Sequence, residues 1–166
     1  MDPKASSTPA IPFNVRRPAA LIFLHWATLI VIVLLVGIVF VREGFEEKAV
    51  RTTLINLHRS LGLAVALLAV LRIGVRLTKH PLPQSAPMPA MARLAAGGAH
   101  FGLYVLLFAL PLIGWALTSA HGRPVNFFGL VTLPPLVGED EDLADDLGDY
   151  HAAAAWLLLA LIGVHA

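Results

Sequence analysis

The chain contains no cysteine. That removes disulfides, iron–sulfur clusters, thiolate-ligated haem and Cys-x-x-Cys-His haem attachment together, so any haem here is held non-covalently. Charge is scarce as well. Only 14% of the 166 residues are Asp, Glu, Lys or Arg, and 57% are hydrophobic, against roughly 25% and 45–50% in ordinary globular domains. With a mean hydropathy of +0.75, a water-soluble domain is excluded. At about 20 apolar residues per span, the length accommodates four membrane helices with short loops and hardly more.

Four apolar blocks are present. Ala19 to Val41 holds 23 consecutive uncharged residues, enough at 1.5 Å each to span roughly 35 Å and cross a bilayer core of about 30 Å. It is longer than a signal-peptide core and lacks an Ala-x-Ala-like end, so it reads as a retained span. The second block, Thr52 to Leu77, is interrupted by Arg59, Arg72 and Arg76, leaving Ser60 to Leu71 free of charge. The third, Leu94 to Gly122, is uncharged and contains Pro111, where a bend is expected. The fourth runs from Ala144 to Ala166 and is charge-free after Asp149. The expected architecture is an all-α, integral membrane four-helix bundle over residues 19–166, preceded by a disordered tail at 1–18. Pro81 to Pro89, with four prolines, reads as a loop.

Seven basic residues sit before the first block (Lys4, Arg16, Arg17) and between the second and third (Arg72, Arg76, Lys79, Arg93). The segment between the third and fourth blocks has only Arg123. The positive-inside rule therefore predicts both termini in the cytoplasm. Glu139, Asp140, Glu141, Asp142, Asp145, Asp146 and Asp149 crowd the opposite side; such a run is ordinarily a solvated loop.

Seven histidines are unevenly placed, and His25, His58, His100, His151 and His165 fall inside the apolar blocks, whereas His80 and His121 fall in or beside loops. One intramembrane histidine is ordinarily a helix-to-helix hydrogen bond; five together point to function. Depth sorts them. His25 lies near the inner face, and His58 and His151 lie near the outer face of helices entering from outside. His165 is 14 residues beyond His151, about 21 Å deeper and on the same helix face. Two ligand layers follow: His58 opposite His151 outside, and His25 opposite His165 inside. Facing imidazoles suit a low-spin haem with both axial positions filled. His100 shares the depth of His25 and rivals His165 as its partner; spacing does not choose between them. No His-Glu-x-x-His occurs and no carboxylate lies within the charge-free blocks to complete a zinc or di-iron site. Arg59, Arg72 and Arg76 either meet haem propionates or mark the membrane boundary.

Several local patterns accompany these histidines: His25-Trp26; Asn56-Leu57-His58-Arg59-Ser60-Leu61-Gly62; Arg72 and Arg76 before a Pro-rich loop; and Ala99-His100 with Tyr104. Further along come Phe108-Ala109-Leu110-Pro111-Leu112-Ile113-Gly114, Gly122-Arg123-Pro124, Phe128-Gly129-Leu130, Tyr150-His151 and Gly163-Val164-His165-Ala166. In order and spacing the chain resembles the bacterial cytochrome b561 family from Leu24 onward, whose best-characterised type is a di-haem superoxide:ubiquinone oxidoreductase. The resemblance implies two b-type haems, one on His25 and His165 and one on His58 and His151, with His100 as a pocket residue near the inner haem. It also implies ubiquinone as a redox partner and the bacterial inner membrane as the location. Two departures stand out. The chain stops one residue after His165, where the family's fourth helix continues, and segment 139–149 is acidic where the superoxide-oxidising member is more basic.

The expected function is a di-haem b-type cytochrome moving single electrons between a periplasmic-side donor, superoxide among the candidates, and the quinone pool. The expected partners are the bilayer, quinone and a periplasmic redox protein, with no nucleic acid. The alternative is a cytochrome b membrane-anchor subunit fed by a partner dehydrogenase or hydrogenase, for which the acidic segment would be the docking surface. A non-redox transporter with incidental histidines is the third reading.

Overall fold

The computed structural model describes residues 18–78 and 89–165. The expected tail, save Pro18, and the Pro-rich loop, save Pro89, lie outside the described residues, as do His80 and Ala166. Four helices carry the fold: α1 (Ala19–Glu43), α2 (Lys48–Thr78), α3 (Ala90–Ala120) and α4 (Glu141–His165). All four are long and apolar enough to cross a membrane. Each begins or ends beyond its apolar block, because hydropathy marks the lipid-facing stretch whereas backbone hydrogen bonding continues into the interface. α3 runs through Pro111 without a break.

Local chemistry sets the helix ends. α3 stops where Gly122 takes φ +65°, with Gly122 N–H donating to the Ser119 carbonyl and Arg123 N–H to the Thr118 carbonyl. This pair of bonds is a Schellman closure, which needs the left-handed residue that glycine supplies. α4 starts because the Asp140 carboxylate accepts from Leu143 N–H at 3.0 Å, an N-cap bond, with Glu141 and Asp142 in the positive first turn. The acidic segment is therefore largely the start of a helix and only partly a loop.

Between α3 and α4 the chain forms a small antiparallel hairpin, β1 (Val125–Phe127) and β2 (Val131–Leu133), in the register Val125 opposite Leu133. Its turn places Phe128 at φ +50° and Gly129 at φ +73°, with Leu130 N–H donating to the Phe127 carbonyl. Positive φ at both central residues is the type I′ requirement; the phenylalanine pays roughly 1–2 kcal/mol for it.

α1 lies along α2, α2 along α3, and α3 along α4, and the hairpin rests on α2 and α3. Among the described residues the α4 backbone does not come close to α1 or α2. All four helices nevertheless meet in a central layer of Ile32, Val65, Ala69, Leu106, Leu107, Leu110 and Leu158. In lipid, close helix approach rests on small residues and tight packing, and Ala69 is 1% exposed. Ala69→Leu is expected to cost about 1–3 kcal/mol by overpacking, lowering the thermal midpoint in detergent. Leu at the neighbouring exposed Val70 should leave it unchanged.

Candidate cofactor site

The central layer separates two ends of the bundle, and each end holds a pair of facing imidazoles. At the hairpin end, His58 on α2 and His151 on α4 have ring centroids 6.2 Å apart, with planes at 66°. At the other end, His25 on α1 and His165 on α4 are 6.3 Å apart, with planes at 85°. α2 and α4 run in the same direction, which puts positions 58 and 151 at matching depths, and α1 runs opposite to α4, which brings position 25 level with 165. Both pairs bridge the side where α4 stands off from α1 and α2.

Two imidazoles bound in trans to one iron, with metal–nitrogen distances of about 2.0 Å and a ring radius of about 1.1 Å, have centroids about 6.3 Å apart. Both pairs fit. His100 and His165, by contrast, are 4.8 Å apart in an edge-to-face contact, too close to hold a metal between them. His100 Nδ1–H donates to the Ala96 carbonyl at 2.6 Å, so the residue packs beside the pair.

The surroundings of each ring matter for the tautomer. His58 Nδ1–H donates to the Leu35 carbonyl at 3.2 Å, which leaves the Nε2 lone pair available. His151 Nδ1 is buried without a hydrogen bond of ordinary geometry, and the Leu110 carbonyl is the backbone oxygen facing it. His151 also lies against Gly114, where an added Cβ would stand 3.2 Å from its Cε1. His25 Nδ1 accepts from Arg72 Nη1 at 3.3 Å, and the same guanidinium sits 5.8 Å from the centre of the Tyr104 ring.

A cavity of about 320 Å³ opens at this second end among His25, Thr28, Arg72, His100, Tyr104 and His165. Another hollow, about 400 Å³, lies on the α1–α2 turn among Arg42, Glu46, Lys48 and Arg51; it contains no histidine. Arg59 donates to Asn56 at 3.0 Å and has Arg123 and Arg42 as its nearest cations, a grouping that favours an anion. Arg76 is exposed and has no ion pair or hydrogen bond among the described residues. His121 closes on its own helix at the Leu117 carbonyl. The Leu35 carbonyl and Gly114 were not foreseen as site groups: a carbonyl has no sequence signature, and a glycine in an apolar helix reads as packing.

A membrane helix bundle presenting opposed imidazoles at two depths has the frame of a b-type cytochrome. The family model for prokaryotic cytochrome b561 matches residues 16–166, and the chain belongs to that family. It is 32% identical over 126 residues to cytochrome b561 homolog 2 of Escherichia coli, covering 74% of this chain and 63% of that protein. It is 32% identical over 146 residues to a probable superoxide oxidase CybB of Yersinia pestis, covering 86% and 80%. Cytochrome b561 homolog 1 of Escherichia coli is 29% identical over 146 residues, covering 87% and 82%. The chain thus spans less than two thirds of the length of one of these relatives. Membership makes this a multi-pass bacterial inner-membrane protein of the haem-b-binding, electron-transferring class.

Gly114→Leu should drive the His151 ring away from His58. Haem bound per chain, measured as the pyridine haemochrome, is expected to fall, whereas Gly114→Ala, which needs a shift of only a few tenths of an ångström, should retain it.

Proposed function

We propose that the chain is a di-haem b-type cytochrome that carries single electrons across the bilayer, from a donor at the hairpin end to a quinone. The observation that carries this reading is the separation of 6.2 and 6.3 Å within two histidine pairs at opposite ends of one bundle. In it His58 and His151 would hold one haem and His25 and His165 the other, and haem b would supply one-electron redox chemistry there.

The protein's own groups do the rest. The Leu35 carbonyl fixes the His58 tautomer, and Gly114 leaves the space in which the His151 ring sits. The central layer of Ile32, Val65, Leu107, Leu110 and Leu158 keeps water out from between the two ends. Arg72, which donates to His25 Nδ1 at 3.3 Å, would be suited to pair with an acidic group of a haem held at this end. Arg59, with Arg123 near it, is suited to the same task at the hairpin end, and Tyr104 and His100 border the cavity where a quinone would approach. The excess of basic residues before the first apolar block and between the second and third in the sequence supports a cytoplasmic N-terminus, with the donor on the periplasmic side.

Superoxide is the first donor to test, because a relative bears that activity in its name. Each superoxide would give up one electron and leave as dioxygen, and two such electrons with two protons convert a quinone to its quinol. A second reading, a membrane-anchor subunit serving a partner dehydrogenase or hydrogenase, draws on the exposed carboxylates between Glu139 and Asp149, which form no ion pair among the described residues and would suit a basic protein. Co-purification of a stoichiometric partner would favour it.

Purified protein should carry two haems per chain, and His58→Ala or His151→Ala should each remove about half of the haem while His25 and His165 keep theirs. One haem per chain in the unaltered protein would overturn the di-haem reading. Added superoxide should reduce the haems rapidly at low salt; no reduction would remove it as the donor and leave the carrier intact.

A further inference from the structure

Residues 124–138 contain no charged side chain, yet the hairpin they form leaves Phe128, Leu130, Val131 and Leu136 exposed, Leu130 at 79%. Its depth along the bundle is fixed by two attachments. Ser60, 4% exposed on α2, donates through Oγ to the Asn126 carbonyl at 2.9 Å and accepts from Phe128 N–H at 3.0 Å. Trp115, five residues before the end of α3, donates through Nε1 to the Pro134 carbonyl at 3.0 Å.

Those anchors lie well inside the ends of the helices. On α1, Phe40 and Val41 are exposed apolar residues, Phe40 at 64%, so lipid reaches at least their level. Leu35 is six residues further in, about 9 Å, and its carbonyl bonds His58. Ser60 lies another two residues along α2, about 3 Å deeper and on roughly the opposite side of the helix from His58. The hairpin is therefore pinned to the outer flank of α2 and α3, turned away from the histidine pair and at a depth where neighbouring helices face acyl chains.

Part of the backbone and side-chain polarity in the hairpin is paired internally, which lowers the cost of lipid contact. β1 and β2 pair with each other, the Ser60 hydroxyl serves both Asn126 and Phe128, and Thr132 Oγ1 bonds Asn126 Oδ1 at 2.6 Å. Four exposed side chains on a turn also make a far smaller patch than the roughly 800 Å² per partner of a stable protein interface. We propose that the tip of this hairpin, Phe128 to Val131, is an interfacial membrane anchor that inserts its apolar side chains into the lipid leaflet at this end of the bundle.

The absence of cysteine makes the test direct. Single variants Leu130→Cys, Phe40→Cys and Asp145→Cys, carrying a nitroxide label on the haem-loaded protein in lipid vesicles, are compared by collision with oxygen and with a water-soluble nickel chelate. Val131→Cys replaces Leu130→Cys if the latter does not incorporate, and retained haem absorbance certifies each fold. The label at 130 is expected to favour oxygen over the chelate at least as strongly as that at 40. Chelate access equal to that at 145 would put the tip in water and overturn the proposal. Exclusion of both quenchers would overturn it in favour of a protein cover, such as a second copy of the chain.

Discussion

The distance between facing imidazoles across the α4 side of the bundle is the constraint on which the rest depends. α4 follows α3 closely but stands off from α1 and α2, and at each end the gap is bridged by a histidine pair at 6.2 or 6.3 Å. In lipid there is no hydrophobic force to draw a fourth helix inward, because acyl chains are as apolar as leucine. What remains is packing and specific polar contact. The central layer through Leu158 supplies the packing, and ligation at both ends, as proposed, would be a polar contact that suits this spacing.

Several unremarkable groups become intelligible around that constraint. Gly114 is small where the His151 ring lies, and the Leu35 carbonyl orients His58 from the neighbouring helix. Ser60, two residues beyond His58, uses one hydroxyl to satisfy two hairpin backbone groups. The turn of α2 that carries His58 is thus tied to α1 on one side and to the hairpin on the other, so its register is held by neighbours and not by helix propensity alone. At the opposite end Arg72 is poised between His25 and Tyr104, within reach of any anion that enters the cavity.

Much of this was legible in the chain because a membrane imposes lengths. Once four spans of alternating direction are read, the depth of each histidine follows from counting, which puts His58 level with His151 and His25 level with both His165 and His100. Equal depth says nothing about rotation around the bundle; in the structure the His25 and His165 rings are 6.3 Å apart and His100 packs edge-on against His165. The hairpin was not anticipated. Its strands are three residues each, its turn is Phe-Gly where Asn-Gly is the usual signal, and its stability comes from Ser60 and Trp115, which are remote in sequence. Arg76, grouped with Arg72 by position, lies one turn nearer the end of α2 and is exposed.

The central claim, two irons each held between two imidazoles, is tested most directly by low-temperature electron paramagnetic resonance of the oxidised protein. The account predicts two low-spin ferric signals, one abolished by removing the residue 58 side chain and the other by removing that of residue 25. A high-spin signal in the unaltered protein, or a single low-spin species that survives both changes, would contradict it.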